Sequence, residues 1–137
     1  MSNSDQLVSG SLDCKIKIWS LNKGVCLQTL KGHTKWVANL ACDASELIIS
    51  GSGDFSIKMW DWKKGVCLKT LYESISIVEF LYFCEIKQEL MVAWRDGTLK
   101  KWNCFSTLNW NFSKNLKCKD ALKENLEYLN YKLISIN

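Results

Sequence analysis

The sequence predicts an all-β fold made of repeated, four-stranded antiparallel units. Three observations carry this: a stretch of text that returns after 41 residues, short apolar runs bounded by Gly, Ser and Asp, and no helical periodicity before residue 114.

The first copy reads Leu7-Val8-Ser9-Gly10-Ser11-Leu12-Asp13, then Lys15-Ile16-Lys17-Ile18-Trp19, Gly24-Val25-Cys26-Leu27 and Thr29-Leu30. Forty-one residues later it returns as Ile48-Ile49-Ser50-Gly51-Ser52-Gly53-Asp54, Ile57-Lys58-Met59-Trp60, Gly65-Val66-Cys67-Leu68 and Thr70-Leu71. A third copy at an offset of 42 keeps Leu90-Met91-Val92, Asp96-Gly97 and Leu99-Lys100-Lys101-Trp102. It places Val92 where the strand serine stands and loses the Gly-Val-Cys-Leu segment. A fourth begins near the end, where Glu127-Tyr128-Leu129-Asn130-Tyr131 echoes Glu79-Phe80-Leu81-Tyr82-Phe83.

In chain order, the first unit has three predicted strands, Leu7 to Gly10, Lys15 to Trp19 and Val25 to Leu30, so residues 7–30 lack a first strand. The second unit, 34–71, is complete: Val37 to Cys42, Leu47 to Ser50, Ile57 to Trp60, and the run after Gly65. The third, 77–112, is degenerate and ends on an outer strand around Leu108 to Phe112. Asp43-Ala44-Ser45-Glu46, Ser52-Gly53-Asp54 and Lys63-Lys64-Gly65 supply the polar, glycine-bearing connections that hairpins need. Residues 113–125, with Lys114, Lys117, Lys119 and Lys123, read as a polar linker, and 126–137 as the start of a further unit.

Composition narrows the function. The chain has 137 residues with a net charge of +4, too little for a nucleic-acid arm or a polybasic membrane anchor. The most apolar stretch, Ile77 to Cys84, is interrupted by Glu79 and is too short to span a bilayer. Seven cysteines, none in a CxxC pair, read as buried free thiols rather than zinc or redox ligands. The opening Met1-Ser2-Asn3-Ser4-Asp5-Gln6 lacks the basic and apolar regions of a signal peptide, so the expected setting is reducing and intracellular, cytoplasmic or nuclear.

With Gly32-His33, Ser50-Gly51-Ser52, Asp54 and Trp60-Asp61 in order and at the expected spacing, residues 7 to 112 resemble the WD40 repeat family. The third copy departs from it, with Glu73-Ser74 in the Gly-His place. Trp-Asp survives once and becomes Trp19-Ser20 and Trp102-Asn103 elsewhere. The resemblance implies an incomplete WD40-type β-propeller of about three four-stranded blades. Propellers typically close with four to eight, so both ends are expected to present unpaired edges and to permit self-association.

It also implies a structural tetrad in the second blade. A Trp indole only donates, Ser donates and accepts, neutral His does both and a carboxylate accepts, so Trp60, Ser50, His33 and Asp54 form one satisfied chain. Ser9, Asp13, Trp19, Asp96 and Trp102 hold the related positions in the other blades. The same Ser, His and Asp invite a hydrolase reading, but no G-x-S-x-G elbow is present. His33 has no neighbouring ligand at metal spacing, so no catalytic, metal or cofactor residue is assigned.

Family partners touch the rim beside the turn Asp and at the start of the innermost strand. Those places hold Leu12, Arg95, Lys35 and Trp36. Trp36 fits an anchor flanked by lysine, and equally a ring folded over its own blade. The resulting expectation is a non-catalytic scaffold or adaptor binding other proteins or peptides, with no membrane role and nucleic acid disfavoured. One alternative is substrate recognition in a ubiquitin ligase, because Gly-x-Cys-Leu-x-Thr-Leu-x-Gly-His looks like repeats of F-box and TRAF-type proteins. RNA binding through the lysine-rich tail and a Ser50 hydrolase are the remaining alternatives.

Overall fold

The computed structural model describes residues 5–42, 47–104 and 111–115, the last five by their backbone. Eleven strands run through them: β1 Gln6–Gly10, β2 Ile16–Ser20, β3 Val25–Leu30, β4 Val37–Cys42, β5 Leu47–Ser52, β6 Ile57–Asp61, β7 Val66–Leu71, β8 Val78–Cys84, β9 Glu89–Trp94, β10 Leu99–Asn103 and β11 Asn111–Asn115. They form three antiparallel meanders, β1-β2-β3, β4-β5-β6-β7 and β8-β9-β10-β11, which are consecutive blades. No helix among the described residues is long and apolar enough to cross a membrane.

The blades stack face to face. This is why β5 reads as an almost unbroken apolar and small-residue run rather than an alternating one: it is buried on both faces. Ile16, Ile18 and Leu30 of blade 1 pack against Val37, Ile48 and Trp60 of blade 2. Ile49, Ile57 and Met59 of blade 2 pack in turn against Val78, Leu81, Leu90 and Trp102 of blade 3. Glycine permits the close approach at each seam. A Cβ on Gly10 would lie 2.8 Å from Val37 Cγ1, and one on Gly51 2.5 Å from Val78 Cγ1.

The repeat also fixes irregularities. In each blade the register between the third and fourth strands shifts just before the repeat tryptophan, at Ile18/Trp19, Met59/Trp60 and Lys101/Trp102. The residue after the turn Asp takes a left-handed conformation in all three: Cys14 at φ 69°, Phe55 at 70° and Gly97 at 86°. Only the third blade uses glycine there. The side chains of the other two make that conformation costlier, by about 1–2 kcal/mol.

Two sequence expectations need correction. The outer strand of blade 3 runs Asn111–Asn115, so residues 113–115 belong to the sheet and not to a linker. Its polar text hid it, since an outermost strand need not carry an apolar pattern; pairing of Lys100 with Asn115 and Trp102 with Phe112 defines it. The rest of the linker and the start of a further blade at 126–137 lie outside the described residues. The thiols are not uniformly buried either. Cys84 and Cys104 are, whereas Cys26, Cys42 and Cys67 are exposed. Cys26 and Cys67 face outward from β3 and β7, each donating from Sγ to a carbonyl of its own strand, Gln28 and Lys69 respectively.

Candidate functional site

One buried polar chain ties the loop before β4 to the next two strands of blade 2. Trp60 Nε1–H donates to Ser50 Oγ at 2.8 Å, Ser50 Oγ lies 2.7 Å from His33 Nε2, and His33 Nδ1 lies 2.9 Å from Asp54 Oδ2. An ionised carboxylate only accepts, so the proton between His33 and Asp54 sits on Nδ1, and Nε2 accepts from the Ser50 hydroxyl. His33 and Trp60 also meet edge-on, with ring centroids 5.9 Å apart. The structure thus brings together the four residues the spacing singles out.

Sequence reasoning missed a fifth. Ser56 is fully buried; its hydroxyl donates to Asp54 Oδ1 at 2.6 Å and lies 3.2 Å from His33 Nδ1. The repeat gives no signal for it, because Lys15 and Thr98 hold its place in the other blades. Asp54 accepts four bonds, from Ser56 Oγ, the Ser56 and Thr34 backbone N–H groups and His33. Burial pushes its pKa upward, but these donors outweigh burial and hold it at about 2. Burial is also the leading cause that lowers the His33 pKa, with the Asp54 bond opposing it. The chain is therefore a neutral imidazole bonded to an ionised carboxylate.

The related positions keep parts of this pattern. In blade 1, Trp19 Nε1–H donates to Ser9 Oγ at 2.9 Å without a histidine. In blade 3, Ser74 stands in for the histidine and donates to Asp96 Oδ2 at 3.0 Å. Val92 offers no hydroxyl for Trp102. Backbone N–H groups of Lys15, Ser56 and Thr98 close the same turn on Asp13, Asp54 and Asp96. Those bonds are the leading cause that keeps Asp13 and Asp96 below the ordinary carboxylate range.

Chemically this arrangement ties strands together. Ser50 is fully buried with its oxygen engaged twice, so no substrate reaches it as a nucleophile. Burial pushes the Cys104 thiol up to about 12, which keeps it protonated.

The rim candidates lie at one end of the blades, where the β5–β6 turn meets the loop entering β4. Trp36 is folded over its own blade and stays partly open. Its ring lies against Gly53, where a Cβ would be 2.5 Å from Cε2, and the residue is still 37% exposed. Leu12 is 85% exposed. The two are neighbours across the seam between blades 1 and 2, because Val37 N–H, next to Trp36, donates to Ser11 O, next to Leu12, at 3.0 Å. Lys35 Nζ sits 5.5 Å from the centroid of the Phe55 ring. Arg95 stands apart on blade 3, its Nε 2.6 Å from Glu79 Oε1 in a solvent-exposed pair. Ile75, exposed on the same rim, was not singled out by the sequence.

Comparison with known proteins follows the same outline. Residues 1–20 and 24–61 match the family model described as WD domain, G-beta repeat. Nuclear distribution protein PAC1 of Arthroderma otae is 49% identical over 39 residues, which is 28% of this chain and 8% of that protein. Its counterparts in Arthroderma benhamiae and Trichophyton verrucosum match at the same identity and coverage. A chain in a crystal structure of the mitotic checkpoint complex superposes with a TM-score of 0.73 at 25% identity, covering 84% of this chain and 36% of that one. The chain therefore spans a small part of the curated relatives it matches and about a third of the structural neighbour.

Proposed function

We propose, from the WD40 repeats matched over residues 1–20 and 24–61, that this chain is a non-catalytic scaffold or adaptor that binds other proteins or peptides on one rim. The observation that carries this is the exposed pair of Leu12 and Trp36 at the seam between blades 1 and 2, with Lys35 beside it. An apolar and aromatic anchor with an adjacent cation has the composition of a binding hot spot. The polar chain behind it holds the β5–β6 turn rigid, so a partner meets a preorganised surface and loses less ordering entropy on docking. Similarity to a nuclear distribution protein and to a chain of the mitotic checkpoint complex fits a protein that works by assembly in the cytoplasm or nucleus.

The ubiquitin-ligase reading has no residue outside the repeats behind it. The hydrolase reading meets a serine out of reach of substrate, and the lysine-rich tail of the RNA reading lies mostly outside the described residues.

A photo-crosslinking residue at position 12 is the test, with position 86 as the control because Ile86 is exposed on the opposite rim. Partner capture is expected from position 12, loss of capture with Trp36→Ala, and none from position 86. Equal capture from both positions, or capture indifferent to Trp36→Ala, overturns this reading. The Leu12→Ser change should leave folding stability within about 0.5 kcal/mol, as expected for a surface position without packing partners.

A further inference from the structure

The two seams between blades expose apolar side chains on the same rim but differ in charge. In the connection from β3 to β4, Lys31 and Lys35 are both exposed, and among the described residues neither is paired with a carboxylate. Lys35 Nζ instead sits 5.5 Å from the centroid of the Phe55 ring, a contact that leaves its ammonium able to meet an anion. Forty-one residues on, the connection from β7 to β8 has Tyr72 and Ser76 in the places of the two lysines, and Glu73 in the place of Gly32. The cations that flank this second seam are already matched. Lys100 Nζ lies 3.0 Å from Glu73 Oε2, and Arg95 Nε 2.6 Å from Glu79 Oε1.

Carboxylates near the first seam do not offset its lysines. Asp54 is turned inward onto His33, Thr34 and Ser56. Asp13 is held by the Lys15 N–H and, at 3.5 Å, by the Lys15 ammonium. Two cations are therefore left uncompensated beside the exposed Leu12 and Trp36, whereas Tyr72 and Ile75, at 72% and 92% exposed, have no such charge beside them. Apolar exposure alone does not distinguish the two seams; charge does. Lysine ammonium groups are compact point charges that accept carboxylates one at a time, without the fork geometry of arginine. A partner that covers Leu12 and Trp36 must also bring apolar side chains, which favours a peptide over a nucleic acid.

We propose that the seam between blades 1 and 2 takes an acidic peptide segment of a partner, with an aliphatic or aromatic side chain over Leu12 and Trp36 and Asp or Glu carboxylates facing Lys31 and Lys35. This names the partner chemistry of the rim reading and rests on it. Complementary charge at such a rim sets which partners are accepted and how fast they arrive, while the apolar pair holds them once docked.

Selection of short random peptides displayed on phage against the full chain tests this, with binding of the selected peptides then measured by fluorescence anisotropy. The expected sequences have Asp or Glu flanking an aliphatic or aromatic residue. Their affinity should fall about tenfold in the Lys31→Glu/Lys35→Glu variant, which sets like charges against one another, and should weaken as salt rises. The Lys23→Glu/Lys87→Glu variant makes the same charge change on exposed turns of the opposite rim and is expected to bind as the native chain does. Selected peptides that require Trp36 but carry no carboxylate, or that ignore Lys31→Glu/Lys35→Glu, overturn the acidic partner and leave the rim reading standing. Peptides indifferent to both Trp36→Ala and Leu12→Ser, or no selection at all, overturn both; Leu12, being 85% exposed, gives this readout without disturbing the core. A single-stranded oligonucleotide that binds the chain and is released by Lys31→Glu/Lys35→Glu assigns the two cations to nucleic acid and overturns the proposal.

Discussion

Replacing Trp60 with alanine is expected to cost about 3–5 kcal/mol, the range for deleting a large aromatic from a well-packed core, and to lower the urea midpoint accordingly. Trp60 is buried at the seam with Ile16, Ile18, Leu30, Val37 and Ile48. Its N–H is the first link of the chain through Ser50 to His33. Trp19→Ala, at the same place in the repeat, should cost clearly less, because half-buried Trp19 has less surface to return to water and its serine has no histidine behind it. Trp60→Phe separates the two contributions: most of the packing stays, and loss of the donor to Ser50 costs about 1 kcal/mol. Equal losses at Trp19 and Trp60 would mean that the repeat position, and not the stacking of blades, sets the energy.

That contrast marks how far the sequence is informative. Equal offsets of 41 place β1 to β7 to within a residue or so, because each strand is an apolar run closed by Gly, Ser or Asp, and those turns have only a few backbone solutions. His33, Ser50, Asp54 and Trp60 were legible for a related reason: donor and acceptor capacities at fixed spacing admit one satisfied chain. What stayed hidden depends on neighbours in space. Ser56 joins the chain only because the β5–β6 turn folds its hydroxyl back onto Asp54. Cys26 and Cys67 share a place with an apolar look, yet outer strands have no further strand to cover them. The strand β11 carries no apolar pattern at all and is defined by its pairing to β10. Trp36 posed a choice between anchor and cover, and only the three-dimensional structure shows that its ring packs on Gly53 with about a third of its surface still open.

Stability should fall with acid in two steps, and both have the same sign. The folded-state pKa of His33 is held below 6.5, so as pH falls through that value the unfolded chain takes up a proton that the folded chain refuses. The folded-state pKa of Asp54 is about 2 against an ordinary 3.8. Between those limits the unfolded state again binds more protons, so this contribution is present above about 3.8 and lost as pH falls towards 2. At 1.36 kcal/mol for each pKa unit, the Asp54 difference corresponds to about 2 kcal/mol, with little solvent screening because the side chain is only 9% exposed. Asp54→Asn isolates that step. An asparagine amide faces the donors of Thr34, Ser56 and His33 with one acceptor oxygen instead of two, so the variant starts about 1–3 kcal/mol below the native protein at neutral pH. It has no carboxylate to protonate, so urea unfolding from pH 7 to pH 2 should show the gap between the two proteins closing below about pH 4. Curves that stay parallel to pH 2 would place the acid sensitivity elsewhere. The exposed turn carboxylates Asp13 and Asp96 are common to both proteins and do not affect the comparison. The sole histidine of the chain and its buried carboxylate both lie in the second blade, so the part of the acid response that Asp54→Asn removes is expected to come from there.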